Sequence, residues 1–557
     1  MTATLPGKLG ASRQPARIKR DESLAVANIG VAVGAFGIAA FMALMQALSR
    51  ANLDLPWRSA GMYYLSVTAH GVLMALVFTT FFIMGLGVAF ANASLERKIS
   101  YPRLAWSGFW IAVLGTAAAS WAILTGKASV LYTFYPPLQA HPAFYIGLTL
   151  VVVGSWIWSF VMLATWTAWR RDHPGEKTPL PMYAMLATVI VWLIATIGVA
   201  AEMLFQLIPW SLGLKETVDP LLARMLFWYF GHPLVYFWLL PAYAVWYSVA
   251  PKLAGGKLFS DQLARVVFAT FIVLSSPVGL HHQFMDPGVS SGWKLLHTFL
   301  TFGILFPSFL TAFTVTASFE VGARAKGARG LFDWIFKLPW GDPTVSSVLL
   351  AMLLFAVGGF GGAVNASFVT DSVVHNTAWI QGHFHLTVGS AVALTFMGTA
   401  YWLIPRLTGQ ELELGLLAKV QPYLWFLGMV LFSIANHITG LMGMPRRIYE
   451  ATYQGSAVAQ RWEALTLTSA IGGLFLFMSA SFFLMVMLGT VLAGKKTETR
   501  QVEFAETVVP ESNRQTVFDR LGLWTVIAVV LVLIAYAYPI YSHLQMQTFG
   551  SPGYKPY

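Results

Sequence analysis

The chain has 557 residues, 57% of them hydrophobic and only 11% charged, against roughly 25% charged in a soluble domain, which excludes an ordinary soluble fold. Its net charge of +11 is best read through membrane topology, with no nucleic-acid partner expected. The absence of cysteine rules out disulfides, thiolate-ligated haem, iron–sulfur clusters and cysteine-bound copper within this chain.

Residues 1–24 form a polar, basic tail (Lys8, Arg13, Arg17, Lys19, Arg20), expected to be cytoplasmic. Thirteen apolar stretches follow, near 25–49, 62–91, 104–124, 143–169, 182–208, 221–250, 263–283, 293–319, 345–369, 376–404, 418–440, 464–493 and 521–543, each long enough to cross a bilayer. The first is too long for a signal-peptide core. The prediction is an all-α polytopic membrane protein of about thirteen transmembrane helices. One domain covers 25–545, and 546–557 is an outer C-terminal tail. With the N-terminus inside, the inner segments hold roughly 23 Lys and Arg against roughly 8 outside. The inner set includes Arg97-Lys98, Arg170-Arg171, Arg324 to Lys337 and Lys495-Lys496. No internal repeat suggests an inverted-repeat transporter.

Histidines punctuate these spans, and an imidazole in a lipid-spanning helix calls for a partner. His70 lies about eight residues into the second span, ~12 Å deep at 1.5 Å per residue. The sixth carries Gly231-His232-Pro233-Leu234-Val235-Tyr236, with Tyr236 on the face of His232 one turn further in. Tyr236, Tyr243 and Tyr247 stack along one face towards the cytoplasm. The seventh ends at His281-His282, where Pro277 can bend the helix. In the eighth, Ser308 and Thr311 share a face. The tenth carries His383-Phe384-His385, whose side chains project about 200° apart. One helix can therefore ligate two haems, one on each side, with His70 at matching depth as the second axial ligand of one of them. His232, His281 and His282 remain as an all-imidazole set suited to copper, zinc or iron. Hydroxyls spaced as in Tyr243, Tyr247, Ser308 and Thr311 can relay protons through water. His141, His173, His297 and His437 show no such convergence and read as structural.

Taken together, His70-Gly71, GHPLVYFWLLPAY (231–243), His281-His282 and QGHFHLTVG (381–389) resemble subunit I of the haem–copper oxygen reductases over essentially the whole chain. The resemblance implies His70 and His385 as axial ligands of a low-spin haem, expected to be b-type. It implies His383 as the proximal ligand of a high-spin haem of the a or o family, and His232, His281 and His282 as the ligands of copper B. Tyr236 matches a tyrosine that the family links covalently to its neighbouring copper-ligand histidine. Arg446 and Arg447 match residues that contact haem propionates, and Asp371 and His375 match residues near the propionates of the high-spin haem. Leu234 stands where A-type members have a proton-delivering glutamate. The chain is thus similar to the B-type branch, whose single K-type proton path matches Tyr243, Tyr247, Ser308 and Thr311, and a thirteenth span also fits some members of that branch.

The implied function is a terminal respiratory oxidase of the prokaryotic plasma membrane, a cytochrome c oxidase that reduces dioxygen to water and translocates protons, with Tyr236 and His232 at the catalytic centre. The expected partners are cytochrome c as donor and a subunit II carrying a dinuclear copper centre, which zero cysteines place on another chain. One rival is the nitric-oxide reductase branch, which keeps the six histidines but generally lacks the tyrosine and often uses carboxylates. The other is a transporter with histidine proton relays.

Overall fold

The computed structural model describes residues 22–497, 501–546 and 548–557. Most of the predicted basic tail (1–21) lies outside the described residues. Among the described residues, twelve helices are long and apolar enough to cross a membrane. In chain order they are α1 (Ser23–Arg50), α2 (Ala60–Ser94), α3 (Pro102–Leu124), α4 (Pro142–Asp172), α5 (Leu180–Ser211), α6 (Pro220–Leu253), α8 (Ser291–Ala325), α9 (Pro343–Ala366), α10 (Ala378–Thr408), α11 (Gly415–Leu441), α12 (Glu463–Ala493) and α13 (Leu521–Leu544).

The seventh predicted span is the correction. Its helix, α7 (Asp261–Leu274), has only 14 residues, ~21 Å at 1.5 Å per residue, short of a ~30 Å hydrocarbon core. The chain then leaves helical geometry through Ser275-Ser276-Pro277 and makes a short 3₁₀ turn at Gly279–Gln283. The segment nevertheless runs the length of the bundle. At one end Asp261 pairs with Lys177 (3.6 Å) and Arg265 (2.6 Å). At the other, Asp286 pairs with Arg224 (2.9 Å), one turn into α6. Irregular backbone at membrane depth is tolerated where protein or a cavity surrounds it, and this turn is buried.

Helix starts follow local chemistry. Ser59 Oγ accepts from Met62 N–H, Ser260 Oγ from Leu263 N–H, and Asp219 and Asp342 each accept from two first-turn amides, which supplies partners to N–H groups a helix leaves open. Close packing uses glycine. A Cβ on Gly154, Gly115 or Gly147 would strike the backbone of the opposite helix in the α3–α4 pair, and one on Gly108 would strike the Ile157 side chain, the small-residue contact expected where lipid supplies no hydrophobic drive.

Loops segregate to two ends. At one end, 176 bridges to 514, 258 to 507 and 410 to 496, gathering the segments predicted to be inside. At the other, β1 (Thr217–Val218) pairs antiparallel with β2 (Ser551–Pro552), and Leu138 bridges to Tyr554. This second end is called outer below.

Candidate haem and copper centre

All six histidines line one cavity of about 460 Å³, far more than the few water-sized voids of a packed core. Two of the three π-turns in the described residues adjoin its haem-side histidines. One covers Leu73–Phe78 just after His70, and another, His385–Leu394, starts at His385 itself. Such turns recur at functional sites because they re-aim side chains within a continuous helix.

The rings of His70 and His385 face each other 6.2 Å apart and 9° from parallel, a gap suited to one metal held by two bonds of about 2 Å. His70 Nδ1 is 3.1 Å from the Ala39 carbonyl, and His385 Nδ1 is 2.8 Å from the Gln381 carbonyl. Both Nδ1 atoms therefore donate, which leaves each Nε2 lone pair for a metal. His383 is directed to the other side of α10, where its Nδ1 donates to the Gly358 carbonyl at 3.0 Å. The opposite-face reading of His383 and His385 matches this placement.

His232, His281 and His282 bring one ligand nitrogen each within 4.8 Å of the others. His232 Nδ1 lies 3.0 Å from His282 Nε2, and the His282 ring stacks on Trp228 at 3.8 Å. The broken seventh segment makes this convergence possible. Its 3₁₀ turn carries both histidines to the depth of His232, so their apparent shallowness in the residue count comes from assuming a straight helix. Among the described residues, no carboxylate joins this cluster. Tyr236 hydroxyl stands 3.1 Å from His232 Nε2.

Three partners of the turn that carries His281 and His282 are invisible in the sequence pattern. Gly279 N–H donates to Tyr536 hydroxyl (2.7 Å) and Leu280 N–H to His297 Nδ1 (3.3 Å). His297 Nε2 in turn donates to the Ala535 carbonyl (3.2 Å). Thr301 Oγ1 donates to the His297 carbonyl at 2.6 Å and lies 3.0 Å from His281 Nδ1. It must then accept from His281 Nδ1–H, which frees His281 Nε2 for the metal. His297, read from sequence as structural, is thus a brace between α13 and the turn that carries His281 and His282.

On the outer side of the cavity Arg446 bonds Tyr132 hydroxyl, and Arg447 lies over the Tyr132 ring at 5.1 Å. Burial lowers the Arg446 guanidinium below its usual range, with the adjacent Arg447 charge adding to the effect. The Nε atoms of both arginines are buried without a partner. A half-buried cationic pair with spare, buried Nε donors fits a carboxylate ligand such as a propionate. Asp371 Oδ2 accepts from His375 Nδ1 at 3.0 Å, and both residues line the cavity.

On the predicted proton path, Tyr247 hydroxyl donates to Thr311 Oγ1 at 3.0 Å. Tyr243 lies between Tyr236 and Tyr247 on α6 with its hydroxyl buried, beside the hydroxyls of Ser308 and Thr311. Ser308 Oγ is turned back onto the Ile304 carbonyl at 3.0 Å and also lines the cavity.

A helical membrane bundle with imidazoles on both sides of one helix, and a three-imidazole cluster that could hold a metal lining the same cavity, fits a membrane haem–metal redox protein. The comparisons make this specific. Residues 23–475 match the family described as cytochrome c and quinol oxidase polypeptide I. The chain is 43% identical over 514 residues to cytochrome c oxidase subunit 1 of Thermus thermophilus, covering 88% of this chain and 89% of that one. It is 28% identical over 460 residues to cytochrome c oxidase subunit 1 of Synechocystis, covering 78% and 77%. A chain solved in a cryo-EM study of a haem–copper terminal oxidase dimer superposes with a TM-score of 0.92 at 37% identity, covering 96% of this chain and 95% of that one. The chain belongs to this family, subunit I of the haem–copper oxidases, a multi-pass protein of the bacterial plasma membrane whose cofactors are haem and copper B.

Proposed function

We propose that this chain is the catalytic subunit of a terminal respiratory oxidase, reducing dioxygen to water with coupled proton translocation and cytochrome c as donor. The observation that carries the reading is the three-histidine cluster opening into the cavity that holds His383, with Tyr236 hydroxyl in contact with one of its imidazoles.

His70 and His385 would hold a low-spin haem of b-type, His383 a high-spin haem of the a or o family, and His232, His281 and His282 copper B. When bound, these groups supply electron transfer and the site where dioxygen is reduced. The rest is the work of this chain's own residues. Axial imidazoles with Nδ1 tied to a carbonyl keep ring orientation and tautomer fixed. Arg446 and Arg447 bind propionate carboxylates, and Asp371 with His375 lies beside them. Tyr236 offers its hydroxyl proton next to the reacting oxygen, and its phenol is the oxidisable side chain that the motif places there. Protons reach it from the inner end through Tyr247, Thr311, Tyr243 and Ser308, with water filling the gaps. Leu234 leaves that route without the glutamate of A-type members, so we assign the chain to the B-type branch. Subunit II, with its dinuclear copper, is the electron entry point, since this chain has no cysteine.

A redox-difference spectrum with metal analysis of the purified complex tests the reading. Two haems and one copper B per chain are expected, over and above the copper of subunit II. A colourless preparation would contradict it.

A further inference from the structure

The third π-turn, Met203–Leu207 in α5, belongs to a polar feature that the histidine centre does not use. Glu202 is 0% exposed, and neither carboxyl oxygen has a hydrogen-bond partner among the described residues. Gln206, four residues nearer the outer end, is 7% exposed with both amide atoms unpartnered, and Trp210, four further on, is 2% exposed with a free indole N–H. On the other side of the same turn Leu204 and Phe205 are 53% and 68% exposed. The helix thus shows apolar side chains outward and a column of polar ones to the protein interior. Burying five polar atoms without partners is costly, and an intramembrane carboxyl is a functional candidate by default.

The column is separate from the haem and copper cavity, since none of its three residues lines that cavity. Gly198, one turn inward on the same face, packs on Leu226 and Tyr229 of α6, which sets Glu202 beside α6. Tyr145 of α4 is within electrostatic range of Glu202. At its outer end, the Trp210 carbonyl accepts from Gln139 Nε2 at 3.0 Å, beneath the C-terminal tail.

We propose that Glu202, Gln206 and Trp210 form a proton-holding site served by internal water, on the outward route of translocated protons. A protonated carboxyl, an amide and an indole N–H offer donors and acceptors in mixed order, which suits a short water file. Calcium would ask for six to eight oxygens, more than one carboxyl and one amide provide. The site has no fixed counter-charge, so the occupant its chemistry selects is the proton itself, carried by water. An ionised carboxylate there is costly enough that its proton occupancy responds to charge changes elsewhere in the bundle.

This inference rests on the oxidase reading, and its test separates the two. Reduced-minus-oxidised infrared difference spectra of the holoenzyme should show a protonated-carboxyl C=O band that shifts in D₂O. The band should be lost in Glu202→Gln and moved in frequency in Gln206→Leu, with haem absorption as the assembly check. In proteoliposomes, Glu202→Gln should release fewer protons per electron than wild type. If wild type lacks haem and oxygen turnover, the oxidase reading fails. If wild type turns over but the spectra of wild type and Glu202→Gln superimpose in the carboxyl region, the site is overturned. An unchanged proton-to-electron ratio in Glu202→Gln would overturn its place on the outward route. Should Glu202→Gln fail to assemble, Gln206→Leu decides, and an unmoved band counts against the site.

Discussion

At the scale of single residues, ring geometry separates the roles of the histidines. His70 faces His385 alone across a one-metal gap, so His70→Ala is expected to remove the low-spin haem spectrum while a high-spin haem still binds carbon monoxide. An unchanged low-spin spectrum would refute that pairing. His282 is one of three imidazoles in an otherwise carboxylate-free cluster, so His282→Ala should deplete copper and spare both haems, as read by metal analysis beside the haem spectrum. These residues were legible in the sequence because their chemistry is local. His383 and His385 are two apart on one helix, and Tyr236 is one turn from His232. His297, Thr301 and Tyr536 were not legible, because they meet the turn that carries His281 and His282 only through tertiary packing. His297 reaches Ala535 across 238 positions of chain, and no periodicity signals such a contact.

Among the elements, the broken seventh segment is where sequence and structure part. Hydropathy over 263–283 reads as one more span, since apolar residues in a loop packed inside a bundle score like those in a helix. The backbone stops being helical after Leu274 because the chain must turn two adjacent imidazoles towards His232. That turn is held by α13 through Tyr536 and, by way of His297, the Ala535 carbonyl. His297→Ala would leave the Leu280 N–H and the Ala535 carbonyl unpaired, at a cost of about 1–3 kcal/mol each. Copper affinity is expected to fall about 10- to 100-fold with both haems retained, measured as copper per haem after dialysis. Gly279→Ala should be more severe. A methyl there collides with the Trp228 carbonyl and the Tyr536 hydroxyl, so copper loading should fail, and full loading would show that the turn can move.

Over the whole molecule, alternation of the loops between two ends is the strongest topological fact. The pairing of β1 with β2 puts the C-terminal tail beside the 212–219 loop, opposite the segments rich in Arg and Lys. With those segments in the cytoplasm, protease added to spheroplasts should remove a C-terminal tag and leave an N-terminal one, and the reverse pattern would invert the orientation. The alternation was readable from hydropathy and charge, whereas the shared cavity was not, because it is assembled from most of the spans at once. The claim that this cavity reduces dioxygen is tested most directly by oxygen consumption of wild type and Tyr236→Phe, matched for haem and copper content. The substitution removes one oxygen atom, 3.1 Å from His232 Nε2, and leaves all six histidines of the cavity in place. The expected result is rapid oxygen reduction by wild type and a loss of about 100- to 10,000-fold in the variant, the range for a positioned proton donor, with both haem spectra intact. Near-normal oxygen reduction by the variant, or a wild type that consumes nitric oxide but not oxygen, would contradict the account.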